Sequence, residues 1–382
     1  MSSRHLPGDA SLENLRKQAK TLLDRYRSGD GQAVALVREL EPSPPAALRL
    51  ADAQRVTARL YGFASWPKLV RHVETVRGLS RSPHTVPVDA STPPADAFLA
   101  LACLTYGADD PVRPRRGGEI LQAHPELPGL SVHVAAAVGD VEAVARHVAG
   151  DRALATAEGG LFRWEPLLYL AYSRVTTAAS DHVATARLLL EHGASPDAGY
   201  LWEGECRFTA LTGVFGGGEQ GNSQPPHPAG LELARVLLDA GADPNDDQAL
   251  YNRHFRPEDD HLELLLAYGL GTGDGGPWNR AVGGPPDAPR IMLEDQLLFA
   301  CANGHEGRVE LLLSHGVDAS GRGSGHPALR GRSAIQLALD SGSEPAVRLL
   351  VEHGAALPEL DEVDRLLVSL TAGNREEAGR AL

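Results

Sequence analysis

The stretch Ala234-Arg-Val-Leu-Leu-Asp-Ala-Gly-Ala-Asp-Pro-Asn245 decides how the chain reads. Its apolar residues recur at helical spacing. Gly241 then stops the helix in the left-handed conformation that L side chains avoid, and Asp243-Pro244-Asn245 is turn chemistry. The same order of apolar helix, glycine and polar turn returns at Ala186–Asp197, Leu262–Gly269, Val309–Asp318 and Val347–Ala355. The closing glycines are Gly193, Gly241, Gly269, Gly316 and Gly354. A second helix precedes most copies, as in Ser131–Asp140, Gln296–His305 and Arg332–Gly342. Small residues at Ala135–Ala137 and Ala300–Ala302 let neighbouring helices approach closely.

Two helices and an extended turn in a unit of about 33 residues describe an ankyrin-like repeat. The Thr-Pro-Leu-His start of the first helix is degraded to Thr209-Ala-Leu-Thr212 and Ser333-Ala-Ile-Gln336. Successive repeat glycines lie 48, 28, 47 and 38 residues apart, so the array is irregular. Inserts at 195–208, 216–230 and 270–291 interrupt it. The expected fold is all-α, an ankyrin-type helical solenoid over residues 96–382 with its clearest repeats in 131–354. Residues 96–128 would form one polar cap, and Leu366–Leu382 the other.

Ahead of the array, Leu12, Leu15, Ala19, Leu22, Leu23 and Tyr26 recur at helical spacing between Ser11 and Gly29. A second helix is expected near Gln32–Leu40, a third from Pro44–Pro45 with Leu50, Ala53, Val56 and Leu60 on one side, and a fourth after Ser65. These make residues 1–78 a small helical module. Residues 79–95 read as a Ser/Pro/Thr-rich linker.

The segments Ser11-Leu-Glu-Asn-Leu-Arg-Lys-Gln-Ala-Lys20 and Tyr61-Gly-Phe-Ala-Ser-Trp-Pro-Lys-Leu69 resemble a helical module found ahead of ankyrin repeats in bacterial proteins. Trp164–Leu170, Asn222–His227, Gln248–Phe255 and Gly276–Trp278 carry a resemblance of the array to the same group. The expected function is a non-catalytic protein–protein interaction or scaffold role, with a partner bound through the concave face and the inserts of the array. The resemblance brings no catalytic residue and no cofactor with it.

The net charge of −14 is uneven. Residues 1–78 hold 13 basic and 8 acidic side chains, and residues 79–382 hold 23 and 42, giving +5 and −19. An array of that sign favours a basic or neutral protein partner over nucleic acid. Only the first module is left open to nucleic-acid binding, and its basic residues are spread over four helices. No apolar run approaches the roughly 20 residues of a membrane helix. Three scattered cysteines and no leader segment lead to an expected cytoplasmic location. The lysines, Lys17, Lys20 and Lys68, include none that follows a glycine, which excludes a phosphate-binding Walker loop.

Twelve of 19 aromatic residues fall within 160–278. One reading makes them anchors that pin the inserts; the other makes them a binding surface. On the second reading the expected partner-binding residues are Tyr200, Trp202, Phe208, Asn222, Gln224, His227, Tyr251, Asn252, Arg253, His254 and Trp278. An alternative has the inserts at 195–291 enclose a small-molecule or catalytic pocket, with Tyr200, Trp202, Asn222, His227 and Asn252 converging. His192, His315 and His353 precede repeat glycines, where an imidazole can bond helix-terminal carbonyls. They lie on successive repeats, too far apart to share a metal ion. Gly216–Gly221 matches a dinucleotide fingerprint in letters only, for it lacks the strand before and the helix after.

Overall fold

The computed structural model describes residues 4–41, 43–45, 47–107, 109–178, 180–329 and 331–358. The expected terminal cap Leu366–Leu382 lies outside the described residues. The chain divides into two compact units. The first holds residues 1–82 with 200–206 and 281–283, and the second holds the remainder.

The first unit contains α1 (Leu12–Arg27), α2 (Gly31–Leu40), α3 (Leu50–Leu60) and α4 (Trp66–Leu79). The apolar periodicity of α1 feeds two small cores. Leu23 joins Val37, Leu48, Ala53 and Val56, while Leu15 joins Ala58, Leu69 and Val73. The third helix starts at Leu50, later than Pro44–Pro45 suggested. A proline disfavours helical backbone in the residue before it, and Asp52 Oδ2 accepts the Arg49 amide at 3.0 Å to set the true start. Glu41, just past α2, accepts bonds from Arg55 at 2.6 Å and Arg59 at 3.0 Å. Arg55 thereby holds the Glu41 carboxyl below its ordinary range. The segment read as a linker is partly ordered. Helix α4 runs to Leu79, and β1 (Ser80–Arg81) pairs in parallel with Leu201–Trp202 of β2 (Gly199–Trp202).

In the second unit α5 (Pro94–Ala102), α6 (Val112–Ala123) and α7 (Leu127–Leu130) precede the repeats. Six helix pairs follow: α8 (Val132–Val138) with α9 (Val141–Gly150), α10 (Pro166–Tyr172) with α11 (His182–Glu191), and, after β3 (Cys206–Thr209), α12 (Ala210–Phe215) with α13 (Gly230–Asp239). Then come α14 (Asp247–Arg253) with α15 (Asp260–Ala267), α16 (Gly276–Val282) inside an insert, α17 (Ala288–Asn303) with α18 (Glu306–Ser314), and α19 (Ala334–Asp340) with α20 (Glu344–Glu352). Each first helix packs on the next first helix, from α8 through α10, α12, α14 and α17 to α19. The second helices form a parallel row, with α9 on α11, α11 on α13, α13 on α15 and α18 on α20. This is an ankyrin-type helical solenoid with irregular inserts.

The repeat glycines close the second helices as their spacing predicts. All five have φ between +80° and +101°. In every copy the residue after the glycine donates its amide back to the carbonyl five residues earlier, as in Ala242 to Leu237 at 3.0 Å and Ala355 to Leu350 at 2.9 Å. That bond satisfies a carbonyl which the helix end leaves orphaned. His192, His315 and His353 direct Nδ1 to the carbonyl four residues back, at 2.9, 2.8 and 2.8 Å. The degraded first-helix motifs keep their mechanical role. Thr209 with Thr212, and Ser333 with Gln336, form reciprocal capping boxes at the starts of α12 and α19.

Candidate functional site

Five rings gather where the end of α14 meets α17. His254 stacks on Phe299 with ring centroids 3.8 Å apart, and Phe255 lies 3.9 Å from His254. Tyr251 meets Phe255 edge-on at 5.6 Å and Phe299 at 6.0 Å. His326, from the loop before α19, lies 5.7 Å from Tyr251 and 5.5 Å from Phe299. Phe299 and His254 are buried, Tyr251 and His326 are half-buried, and Phe255 is 42% exposed. An ordinary core would cover such rings; here Phe255 is open to solvent and Tyr251 and His326 are only half-covered. Burial pushes the His254 imidazole down to about 4, so the ring is neutral at pH 7 and stacks as an aromatic.

The patch is held from both sides. The Tyr251 hydroxyl donates to Glu219 Oε1 at 2.8 Å, which ties α14 to the glycine-rich insert. Arg256 donates to Asn222 Oδ1 at 2.8 Å, a second tie to the same insert. The insert can lie this close because Gly217 has no side chain: a Cβ there would sit 2.5 Å from the Asn252 carbonyl oxygen, and its φ of +81° suits glycine. Behind Phe255, the wholly buried Arg308 of α18 pairs with Asp259 and donates to the carbonyls of Arg256 at 2.7 Å and Glu258 at 3.0 Å. At the start of α15, Asp259 pairs with Arg308, and Asp260, in the first helical turn, pairs with Arg253 at 3.0 Å.

The structure spreads the sequence-derived candidates widely. Tyr200, Phe208, Gln224, His227, Asn252, Arg253 and His254 are buried, which corrects their reading as surface contacts. The reason is that each fastens an insert or a helix. Phe208 packs 4.7 Å from Tyr106, Gln224 donates to Asp109 at 3.1 Å, and Asn252 accepts from Gln248 at 2.9 Å. The His227 ring sits 4.6 Å from that of His182, and burial pushes its pKa well down. Trp278 is half-buried and donates Nε1–H to the Asp197 carbonyl at 2.8 Å, anchoring the 270–291 insert. Tyr200 and the half-buried Trp202 belong to the first unit. Asn222 bonds Arg256, His227 meets His182 and Asn252 bonds Gln248, so the three side chains have different partners. Phe162, Trp164, Tyr169 and Tyr172 make one buried ring cluster, so most aromatic residues of the region are internal anchors.

No family model matches the chain, and no curated protein matches it. Among solved structures it is similar to the crystal structure of the human ASB11 ankyrin repeat domain. The two are 20% identical over 60% of this chain and 86% of that one, with a TM-score of 0.37.

Phe255, Phe299, His326, Glu219 and Arg256 were missed by sequence reasoning. Phe299 lies within Gln296–His305, which reads as core, and His326 lies in a loop without periodicity. The signal for Phe255 was present, since Tyr251, His254 and Phe255 share one helix end at spacings of three and four residues. Among the described residues no group of three or more His, Cys, Asp or Glu is placed to hold a metal ion. No helix among them is long and apolar enough to cross a membrane. A groove of about 400 Å³ between α5 and α6 is lined by Pro94, Ala97, Leu101, Arg116, Glu119 and Ile120 among others, and includes none of the expected site residues.

Proposed function

We propose that this protein is a non-catalytic interaction module, and that it docks a partner protein on the ring patch formed by α14, α17 and the loop before α19. The observation that carries this reading is the exposure of Phe255, beside the half-buried Tyr251 and His326, over a buried His254–Phe299 stack. Aromatic anchors on a rigid backing are what most binding hot spots consist of, because their two χ angles cost little entropy on ordering. Arg308 and the Glu219 and Asn222 ties supply the rigid backing. Residues 96–382 are the binding array on this reading, and residues 1–78 are a separate basic module whose role the array does not require.

Affinity capture from a native extract tests the proposal. The double variant Tyr251→Ala/Phe255→Ala is expected to lose the partner, while Tyr268→Ala, an exposed ring at the end of α15, retains it. Equal recovery by all three proteins would move the site elsewhere.

A further inference from the structure

We propose that His227 is an acid-sensitive latch, which fastens the end of the 216–230 insert to the start of α13 and opens when its ring is protonated. His227 Nδ1 accepts the Ala229 amide at 3.0 Å, and Ala229 is the N-cap of α13. A neutral imidazole has one nitrogen lone pair to accept with, and this bond uses it. The ring proton therefore sits on Nε2. A second proton has only Nδ1 to go to. There it turns the acceptor into a donor that faces the Ala229 N–H, so the bond is lost and the ring and the cap cannot both stay in place. The neighbouring bonds share the segment: the His227 amide donates to the Val214 carbonyl at 2.9 Å, and the Gly230 amide to the His227 carbonyl at 2.8 Å.

The surroundings offer an imidazolium nothing in exchange. His227 is 3% exposed, and its Nε2 has no bond partner among the described residues. Its ring meets that of His182 at 4.6 Å, edge to face, and His182 is also buried with an unpartnered Nε2. The charged groups that face the pair are Arg174, near both rings, and Asp181, near His182 alone. Arg174 is held in place by the Gly213 carbonyl at 2.6 Å and the Pro225 carbonyl at 2.8 Å. Burial, Arg174 and His182 push the His227 pKa well down, so the latch is closed at pH 7. A group that takes its proton more readily once released is expelled as pH falls. The same insert ties Tyr251 through Glu219 and Arg256 through Asn222. The latch acts whether or not the ring patch docks a partner.

Hydrogen exchange of the full chain at pH 7 and pH 5, corrected for the intrinsic pH dependence of amide exchange, tests the latch. An ordinary imidazole titrates near 6.5, and a proton bound only in the open state shifts opening by up to about tenfold per pH unit. Protection of the Ala229, Gly230 and Leu233 amides is therefore expected to fall by about tenfold or more between the two pH values, while α19 and α20 keep theirs. His227→Asn offers Ala229 a side-chain oxygen that takes no proton, and should abolish the fall. His182→Phe keeps a ring against His227 and should preserve it. Nitrogen-15 shifts of the unsubstituted protein read the same point without a variant: at pH 7 the His227 ring should carry its proton on Nε2, and it should titrate together with the loss of protection. An Nδ1–H tautomer at pH 7, protonation of His227 with protection intact, or an undiminished fall in His227→Asn would each overturn the proposal. An equal fall in α19 and α20 would do so as well, since it would mean that the whole unit opens.

Discussion

Arg308 and Asp259 form an ion pair in which the guanidinium has no solvent exposure and the carboxylate is 18% exposed. The pair joins α18 to the segment that carries Phe255, so it links the stability of two repeats to the geometry of the ring patch. Removing one partner of a buried pair leaves an uncompensated charge, which costs about 3–5 kcal/mol. Asp259→Ala is therefore expected to lower the urea midpoint sharply and to weaken partner capture. Equilibrium denaturation checks the first effect. A change below about 1 kcal/mol would mean that the carbonyls of Arg256 and Glu258 suffice to hold the guanidinium.

Repeat glycines and helix glycines should respond in opposite directions. Gly241 has φ +97° and open space around it, so Gly241→Ala meets no clash and still pays for left-handed backbone, about 1 kcal/mol of destabilisation. Gly118 lies inside α6 with open space where a Cβ would sit, and Gly118→Ala should stabilise by about 0.5–1 kcal/mol. Thermal melts of the two variants give the comparison.

Acidification should destabilise the second unit between about pH 6.5 and pH 4. Burial lowers the His254 and His261 imidazoles to about 4, and lowers His227 as well. Each binds its proton more readily when unfolded, so its stabilising contribution is complete above the unfolded value near 6.5 and is lost as pH falls toward the folded value. Asp246 acts in the opposite sense. Burial raises it to about 6, so its contribution is present below its ordinary 3.8 and is lost as pH rises through 6. In that unit burial lowers six histidines (His133, His182 and His305 beside these three) and raises four carboxylates (Glu165, Asp197 and Asp295 beside Asp246), so the balance expected on acidification is a loss. Urea midpoints at pH 7 and pH 5 measure it, and a midpoint at pH 5 equal to or above that at pH 7 would contradict the assignment.

Trp278 anchors the 270–291 insert through its bond to Asp197. Trp278→Phe removes the N–H donated to Asp197 and leaves that carbonyl without it, a cost of about 1 kcal/mol. Hydrogen exchange should rise across residues 270–291, with partner capture unchanged. Loss of capture would return Trp278 to the binding surface.

The helices were legible because their periodicity and their punctuation agree. Gly193, Gly241, Gly269, Gly316 and Gly354 mark the ends of five of the six second helices, and Ser11, Thr209 and Ser333 mark starts. The start of α3 was misjudged because proline chemistry pulled it forward, while the deciding contact, Asp52 to Arg49, is a side-chain bond. The site was legible only in part. Composition flagged the aromatic residues of 160–278 but carries no information on which way each ring faces. Tyr172 and Phe208 are buried in the array, Trp278 bonds the Asp197 carbonyl, Tyr251 is half-buried among other rings, and Phe255 is exposed. The residues that complete the patch, Glu219, Phe299 and His326, come from positions 32 to 75 residues away from Tyr251, a separation that only packing closes.

The most direct measurement of the central claim is site-specific photo-crosslinking in the native cell. A benzophenone side chain placed at Phe255 is predicted to give a covalent adduct with the partner, and the same group at Tyr268 is predicted to give none. Adducts from position 268 with none from position 255 would contradict the account.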